Sequence, residues 1–423
     1  MNDNVTIIKN LHDNIEAVIK EYEINLSGKK NTFKILIDLV SKIPDFRKPF
    51  LVKYKLSDII LASLILIMKD EFKSFIHAAT YLEVFKEEFQ KYGLFIDGNT
   101  PSHDTIRRVF MLLDAQNLKE KIIDNINAVL QKIVEIYKEN NKKELCSIDG
   151  KEFKGSGRSK YTNNPSRNIN VLNYYNASRS ICLSSLVLDD KEGEVIAGQA
   201  MLQKFNLSNV IVTADALHCQ RRTCEIIKNK KGDYVFTVKR NQENLYNEII
   251  AKMSKEKHKL KHVDFNNCEY DILNLSSSYA GEDFPGQASY VKMVSHKREK
   301  QPTDKITELY FITSLKNTDA IVQSIDNRWK IENDFHKEKD YSFSEDDYIF
   351  TDKNAIRVMA TMNNIVYAFF VLSSRFIPGS TPSLVRIRFK KNPIEVLEEI
   401  APLLSRKEFN QLLKANLKGR KKS

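Results

Sequence analysis

Three carboxylates in three unlike settings carry the chemistry this chain can offer. Asp149 closes the run Leu145-Cys-Ser-Ile and precedes Gly150, Asp215 closes Val212-Thr-Ala, and Glu332 lies within Arg328-Trp-Lys-Ile-Glu-Asn333. The first two settings read as strand ends and the third as a helix, so acids from distant sequence are candidates to meet. Mg²⁺ takes oxygen ligands and keeps waters and substrate phosphates. A few convergent carboxylates therefore suffice for cutting phosphodiesters without a dedicated cage. If the strands of Asp149 and Asp215 are neighbours, the two acids can share one cation, and like charges that close raise a pKa until metal neutralises them. Taken singly, each aspartate reads first as a turn residue; the matched pair favours chemistry.

Around Glu332 the helical period puts Arg328, Glu332, His336 and Lys339 on roughly one face, with Trp329 and Ile331 turned inward. An acid there can complete a metal pair while Arg328 and Lys339 hold phosphates. The competing reading is an exposed helix laced with salt bridges. Thr100-Pro-Ser-His-Asp-Thr-Ile-Arg-Arg108 starts like a capped helix and sets Arg107 and Arg108 beside an apolar stripe, an entry for a recognition helix or merely solvated charge. His103 reads as a capping or hydrogen-bonding group. His218 beside Cys219 is a weak case for a catalytic pair, because neighbouring side chains at a helix start diverge and no orienting acid is near. Glu345, Asp346 and Asp347 read first as a solvated loop, with auxiliary acids the alternative, and Glu194 as a helix-starting acid with an outer role at the site open to it. Gly155-Ser-Gly157 is too short for a phosphate-binding fingerprint.

The elements that must position these residues divide the chain. Residues 1–140 read as a helical domain, with three-and-four spacing in 33–40, 57–68, 74–85 and 105–113 and a long helix from Leu118 to about Glu139. After the polar Asn140-Asn-Lys-Lys143 the pattern turns to short β-branched runs. Residues 141–260 give strands at 144–148, 169–177, 181–188, 210–213 and 234–238, with helices at 194–205 and 220–230. Residues 261–316 are purely β in pattern and read as an insertion; helix returns over 319–340 and 354–375 within 317–380. Residues 381–423 read as a basic, partly frayed tail ending Gly419-Arg-Lys-Lys-Ser423. The fold class expected is mixed α/β, or α+β, with helices packed on a sheet.

The chain has 423 residues, 42% apolar, with only 13 Gly and 10 Pro, which is enough for two or three packed domains and excludes wholesale disorder. A formal charge of +11 points to a polyanionic partner. Five cysteines without a CxxC pair argue against a disulfide framework or a thiolate zinc site and for a reducing compartment. The apolar run 59–68 is too short to span a bilayer, so a cytoplasmic protein is expected.

At these residues the chain resembles ISAs1-type insertion-sequence transposases, the H-repeat-associated proteins among them, within the DDE transposases that share an RNase H-like core. The likeness rests on Pro101-Ser-His-Asp-Thr105, Val109-Phe110, Leu113-Asp114, Ile148-Asp-Gly-Lys151, Asp215-Ala-Leu-His-Cys-Gln220, Gly232-Asp-Tyr-Val235, Lys239-Arg-Asn-Gln242 and Trp329-Lys-Ile-Glu-Asn333, in that order. It implies that Asp149, Asp215 and Glu332 are the catalytic, metal-ligating triad, with Mg²⁺ or substituting Mn²⁺ as cofactor. It also implies an RNase H-like core interrupted by the β-rich insertion. Arg328 and Lys339 resemble the basic residues flanking the glutamate in the IS4-like signature; Lys151, Arg107 and Arg108 join them as expected DNA phosphate contacts. The usual Leu-His-Trp after the glutamate is Phe335-His-Lys337 here. The activity implied is hydrolysis at element ends followed by attack of the freed 3′-OH on target DNA, with double-stranded DNA (terminal inverted repeats and target) as partner and a homodimer on it. Two alternatives stand beside it: a domesticated or inactive DNA-binding descendant, and a helical interaction module joined to an unrelated α/β enzyme.

Overall fold

The computed structural model describes residues 33–137, 143–157, 169–188, 193–276, 284–295, 307–377 and 379–404. Nine strands among them form one mixed sheet in the order β3-β2-β1-β4-β5-β9-β8-β7-β6. The strands are β1 (Glu144–Phe153), β2 (Ile169–Asn176), β3 (Ile181–Leu188), β4 (Val210–Ala214), β5 (Asp233–Val238), β6 (Lys261–Phe265), β7 (Cys268–Asn274), β8 (Ser289–Ser295) and β9 (Thr307–Thr313). β1, β2 and β3 form an antiparallel meander, and β4 and β5 run parallel to β1. Helix Glu194–Lys204 makes the crossover into β4, and helix Arg221–Asn229 joins β4 to β5. β4 and β5 are buried at every position, as parallel strands covered on both faces must be. Three antiparallel strands leading into two parallel ones is the RNase H-like arrangement.

The strands expected as an insertion extend this same sheet, because β9 pairs antiparallel with β5. β6 and β7 are joined through Asn266 and Asn267, both at positive φ, which gives the two-residue turn whose twist suits a hairpin.

Helix Leu56–Met68 is buried along its entire length. Helix Lys353–Phe376 packs on β3 and against helix His103–Leu112; it is long and apolar enough to cross a membrane, and it lies inside the fold. Its start is capped by Asp352, which accepts from the Ala355 N–H at 2.8 Å. The Asn354 side chain donates to the carbonyls of Phe110, Met111 and Leu113, so one amide closes the end of the Arg107–Arg108 helix and ties it to the core.

The expected C-terminal tail is, as far as residue 404, two helices, Pro382–Lys391 and Pro393–Leu404. Val396, Leu397 and Ile400 bury against helices Phe33–Val40 and Lys353–Phe376, while Arg386 and Arg388 pair with Glu338 and Glu399. Proline at the first helical position and the Thr381 cap start the first of them. The 140–142 linker, Glu139 and the final basic run lie outside the described residues.

Candidate active site

Asp149 does not end its strand. β1 continues to Phe153 because β2 keeps pairing with it as far as Phe153↔Ile169, whereas β4 stops opposite Ile148 at Ala214. The sheet thus splits immediately after Ile148↔Ala214, and the next residues on the two strands are Asp149 and Asp215. Parallel register alone brings the two aspartates to one gap. Asp215 turns out of β4 into a tight loop, where its Oδ1 accepts from the Leu217 N–H at 2.9 Å.

The third acid comes from a helical segment packed against β1. The helix expected over 319–340 is interrupted: an α-helix ends at Arg328, a π-helical turn spans Ile331–His336, and an α-helix resumes over Lys337–Phe343. A π turn inserts a residue and re-aims the side chains that follow, a distortion common at functional sites. It leaves Glu332 exposed and buries Phe335, which stacks on Tyr175 at 5.0 Å, and His336. Trp329 is only partly buried. It does not pack inward, but lies under the Arg328 guanidinium at 3.9 Å, where a planar cation gains from the ring face.

Electrostatics link the acids. Burial and the charges of Glu332 and Asp215 push the Asp149 carboxyl up to about 7, opposed by Arg328, with Glu194 adding to the rise. Arg328 is itself buried, which pulls its pKa down, while Glu332, Asp149 and Asp215 pull it back up. One guanidinium thus faces three carboxylates. Asn173, paired with Asp149 across β1 and β2, donates from Nδ2 to His336 Nε2 at 3.2 Å. That places the imidazole hydrogen on Nδ1, which stands 3.4 Å from Asp149 Oδ2. Burial, with Lys339 and Lys151 nearby, lowers the His336 pKa to about 3, so the ring is neutral.

Lys339 and Lys151, expected to meet phosphate, are instead committed to acids. Lys339 is 1% exposed and pairs with Glu345 at 2.9 Å; Lys151 pairs with Glu345 at 2.7 Å and with Asp340. Glu345, expected in a solvated loop, is completely buried, held also by the Asn363 amide at 3.0 Å, and its carboxyl lies well below the usual range because the two lysines outweigh its burial. Arg107 and Arg108 are exposed on helix His103–Leu112, which Ser102 caps; His103 is exposed rather than capping. Arg108 lines a groove of about 1030 Å³ with Arg47, Lys48, Lys53 and His103, away from the acids. Cys219 is excluded as a nucleophile: burial pushes its thiol up to about 12, and His218 turns toward Glu194.

An all-oxygen donor set with an excess of negative charge fits a hard divalent cation. Among the described residues, no three His, Cys, Asp or Glu side chains stand in ligating arrangement. The acids converge on one gap without closing a coordination shell.

The Transposase DDE domain family matches residues 140–369, a span holding all three acids, and the DDE_Tnp_1-associated family matches residues 37–125. The chain belongs to the Transposase DDE domain family. This DDE transposase is a nuclease and strand transferase acting on DNA, in a family that works with divalent metal. It is 27% identical over 364 residues to an H repeat-associated putative transposase of Escherichia coli (strain K12), YhhI, with 78% of this chain and 89% of that one covered. A second of that description, YbfD, is 29% identical over 251 residues, covering 59% and 91%. A piggyBac transposase synaptic complex with hairpin DNA aligns with a TM-score of 0.43 at 11% identity, over 90% of this chain and 81% of that one. In the DDE transposase the sequence pattern alone pointed to Asp149, Asp215 and Glu332. His336 as a neighbour of Asp149 and Glu345 as a buried anchor carried no distinguishing pattern.

Proposed function

We propose that Asp149, Asp215 and Glu332 hold the divalent cation and form the catalytic set of this transposase, with Mg²⁺ the working ion and Mn²⁺ a substitute. The observation that carries this is the register: the last paired residues of β1 and β4, Ile148 and Ala214, are each followed by an aspartate, and Glu332 acts on the first of them. When bound, the cation supplies Lewis-acid polarisation of a phosphate and activation of the attacking oxygen. The chain's own residues do the rest. β2 fixes Asp149 by pairing through Asn173, and neutral His336 leaves that carboxylate its negative charge while limiting its rotation. Arg328, held flat by Trp329, offers a guanidinium to a phosphate that enters between the acids. Among the described residues around the acids, none is placed for a covalent intermediate.

Arg107 and Arg108 are assigned to DNA backbone contacts outside the cleavage site, Arg108 on the basic groove of the helical segment and Arg107 exposed beside it on the same helix. Lys151 and Lys339 are assigned to holding β1 and the Glu332 segment together. The element's terminal inverted repeats and a target duplex are the DNA partners, engaged by a homodimer, in a bacterial cytoplasm and at the nucleoid when DNA-bound. The test is excision of the gene with its native flanking DNA in cells, wild type against Asp215→Asn supplied in trans. Excision with wild type alone supports the reading; equal excision with both overturns it.

A further inference from the structure

A fourth acid lies beside the strand that carries Asp149. Glu194 opens helix Glu194–Lys204, where an acid is favoured by the helix dipole and needs no other reason. An acid serving the dipole alone can stay in water. Glu194 is instead buried and folded onto β1: a Cβ on Gly150, the residue after Asp149, would stand 2.8 Å from its Oε1 and 3.1 Å from its Oε2. Only glycine lets the carboxylate lie against the strand at this point, one residue from Asp149.

A second observation is independent of that contact. His218 sits three residues after Asp215, is 1% exposed, and has a hydrogen-bond partner at neither ring nitrogen. Its Nε2 lies 3.3 Å from Glu194 Oε1, close enough to feel that charge, and the ring lies on Gly198, where a Cβ would come within 2.9 Å of Cε1. Two glycines therefore clear space for one imidazole–carboxylate pair. Buried polar atoms left unpaired are destabilising, and such pairs recur where a carboxylate must be aimed at a cation. The Asp215 loop thus supplies one acid of the site and the group that orients another.

We propose that Glu194 is a fourth carboxylate of the cation site, reaching the ion beside Asp149, and that His218 is its positioning residue. This rests on the reading of Asp149, Asp215 and Glu332 as that site. It gives a physical reason for glycine at both 150 and 198, and it separates the roles of His218 and Cys219, which neighbour each other in sequence and face different surroundings.

The experiment is calorimetric titration of Mn²⁺ into the full chain without DNA, for wild type, Glu194→Gln, Glu194→Asp, Gly150→Ala, His218→Gln and Asp149→Asn. Cation-free melting checks that each is folded. Glu194→Gln should weaken Mn²⁺ binding about tenfold, the low end for losing a group that supports a metal. Glu194→Asp, which keeps the charge, should lose less. Gly150→Ala should act in the same direction as Glu194→Gln, because it displaces the carboxylate while leaving the charge in the protein. His218→Gln should fall between wild type and Glu194→Gln. Wild-type binding by folded Glu194→Gln and Gly150→Ala, with binding lost in Asp149→Asn, overturns the role of Glu194 and leaves the three-acid site standing. Wild-type binding by Asp149→Asn, or no Mn²⁺ binding by the wild type, overturns both.

Discussion

Replacing Asp149 by Asn should stabilise the cation-free protein at alkaline pH, although it removes a residue assigned to catalysis. The carboxyl rises from an ordinary 3.8 to about 7 on folding, through burial and the charges of Glu332 and Asp215. The sign follows directly: between those values the folded state binds the proton that the unfolded state has released, so stability falls as pH rises through the window and the loss is complete above about 7. A rise of that size corresponds to about 4 kcal/mol. A quarter of the side chain remains exposed, so solvent screens part of this, and half, about 2 kcal/mol, is the expected penalty. Urea unfolding at pH 8 should therefore find Asp149→Asn more stable by about 2 kcal/mol, and at pH 5.5 by about half that. Saturating Mg²⁺ should reverse the order. At a hundredfold excess over its dissociation constant the ion stabilises wild type by about 2.7 kcal/mol, and the amide variant should gain little of this. An Asn variant no more stable than wild type at pH 8, or one that Mg²⁺ stabilises as strongly as wild type, refutes the reasoning.

Glu345→Gln should cost about 3 kcal/mol in urea unfolding, because Lys151 and Lys339 would be left buried without their shared carboxylate; a loss under about 1 kcal/mol would show that the three ions do not act as a unit. Arg107→Ala and Arg108→Ala should each weaken binding to duplex DNA of any sequence and reduce its salt slope by about 1, measured by fluorescence anisotropy across a salt series, while Mg²⁺-dependent stabilisation stays as in wild type. Cys219→Ala should cut DNA within about twofold of the wild-type rate, since a buried thiol pushed up to about 12 has almost no thiolate at neutral pH. Asn354→Ala should cost about 2 kcal/mol by urea unfolding, as three carbonyls at the end of helix His103–Leu112 lose their common donor.

Period and composition made the site's framework legible: β4, β5 and the antiparallel pair β2–β3 lie within a residue or two of their apolar runs. What escaped was set by distant partners. Gly150-Lys-Glu-Phe153 has a loop-like start, yet β2, which begins only at Ile169, holds it in the sheet. Glu345-Asp-Asp347 reads as solvated loop until Lys151, nearly two hundred residues earlier, is brought beside it. The interruption near Glu332 is hidden because a π turn and an α turn draw on the same residue types. The C-terminal helices looked like a basic tail because their burial depends on helix Phe33–Val40, at the far end of the chain.

The buried ion network explains why the active gap stays negative. Lys151 lies two residues after Asp149 on the same strand, and Lys339 one helical turn after His336; left free, either cation could swing toward the acids and neutralise them. Glu345 and Asp340 hold both, so Arg328 is the cation left to oppose the Asp149 carboxylate, against the negative charges of Glu332, Asp215 and Glu194. Burial, helped by the same two lysines, keeps His336 uncharged, which denies Asp149 a second internal counterion. A hard divalent cation matches the remaining charge and the all-oxygen donors. A protein that needed only to be stable would have placed Lys151 on Asp149 directly. Tying that lysine to a glutamate on another segment leaves the Asp149 carboxyl pushed up to about 7 by burial and then by its acidic neighbours, and a divalent cation held there offsets both.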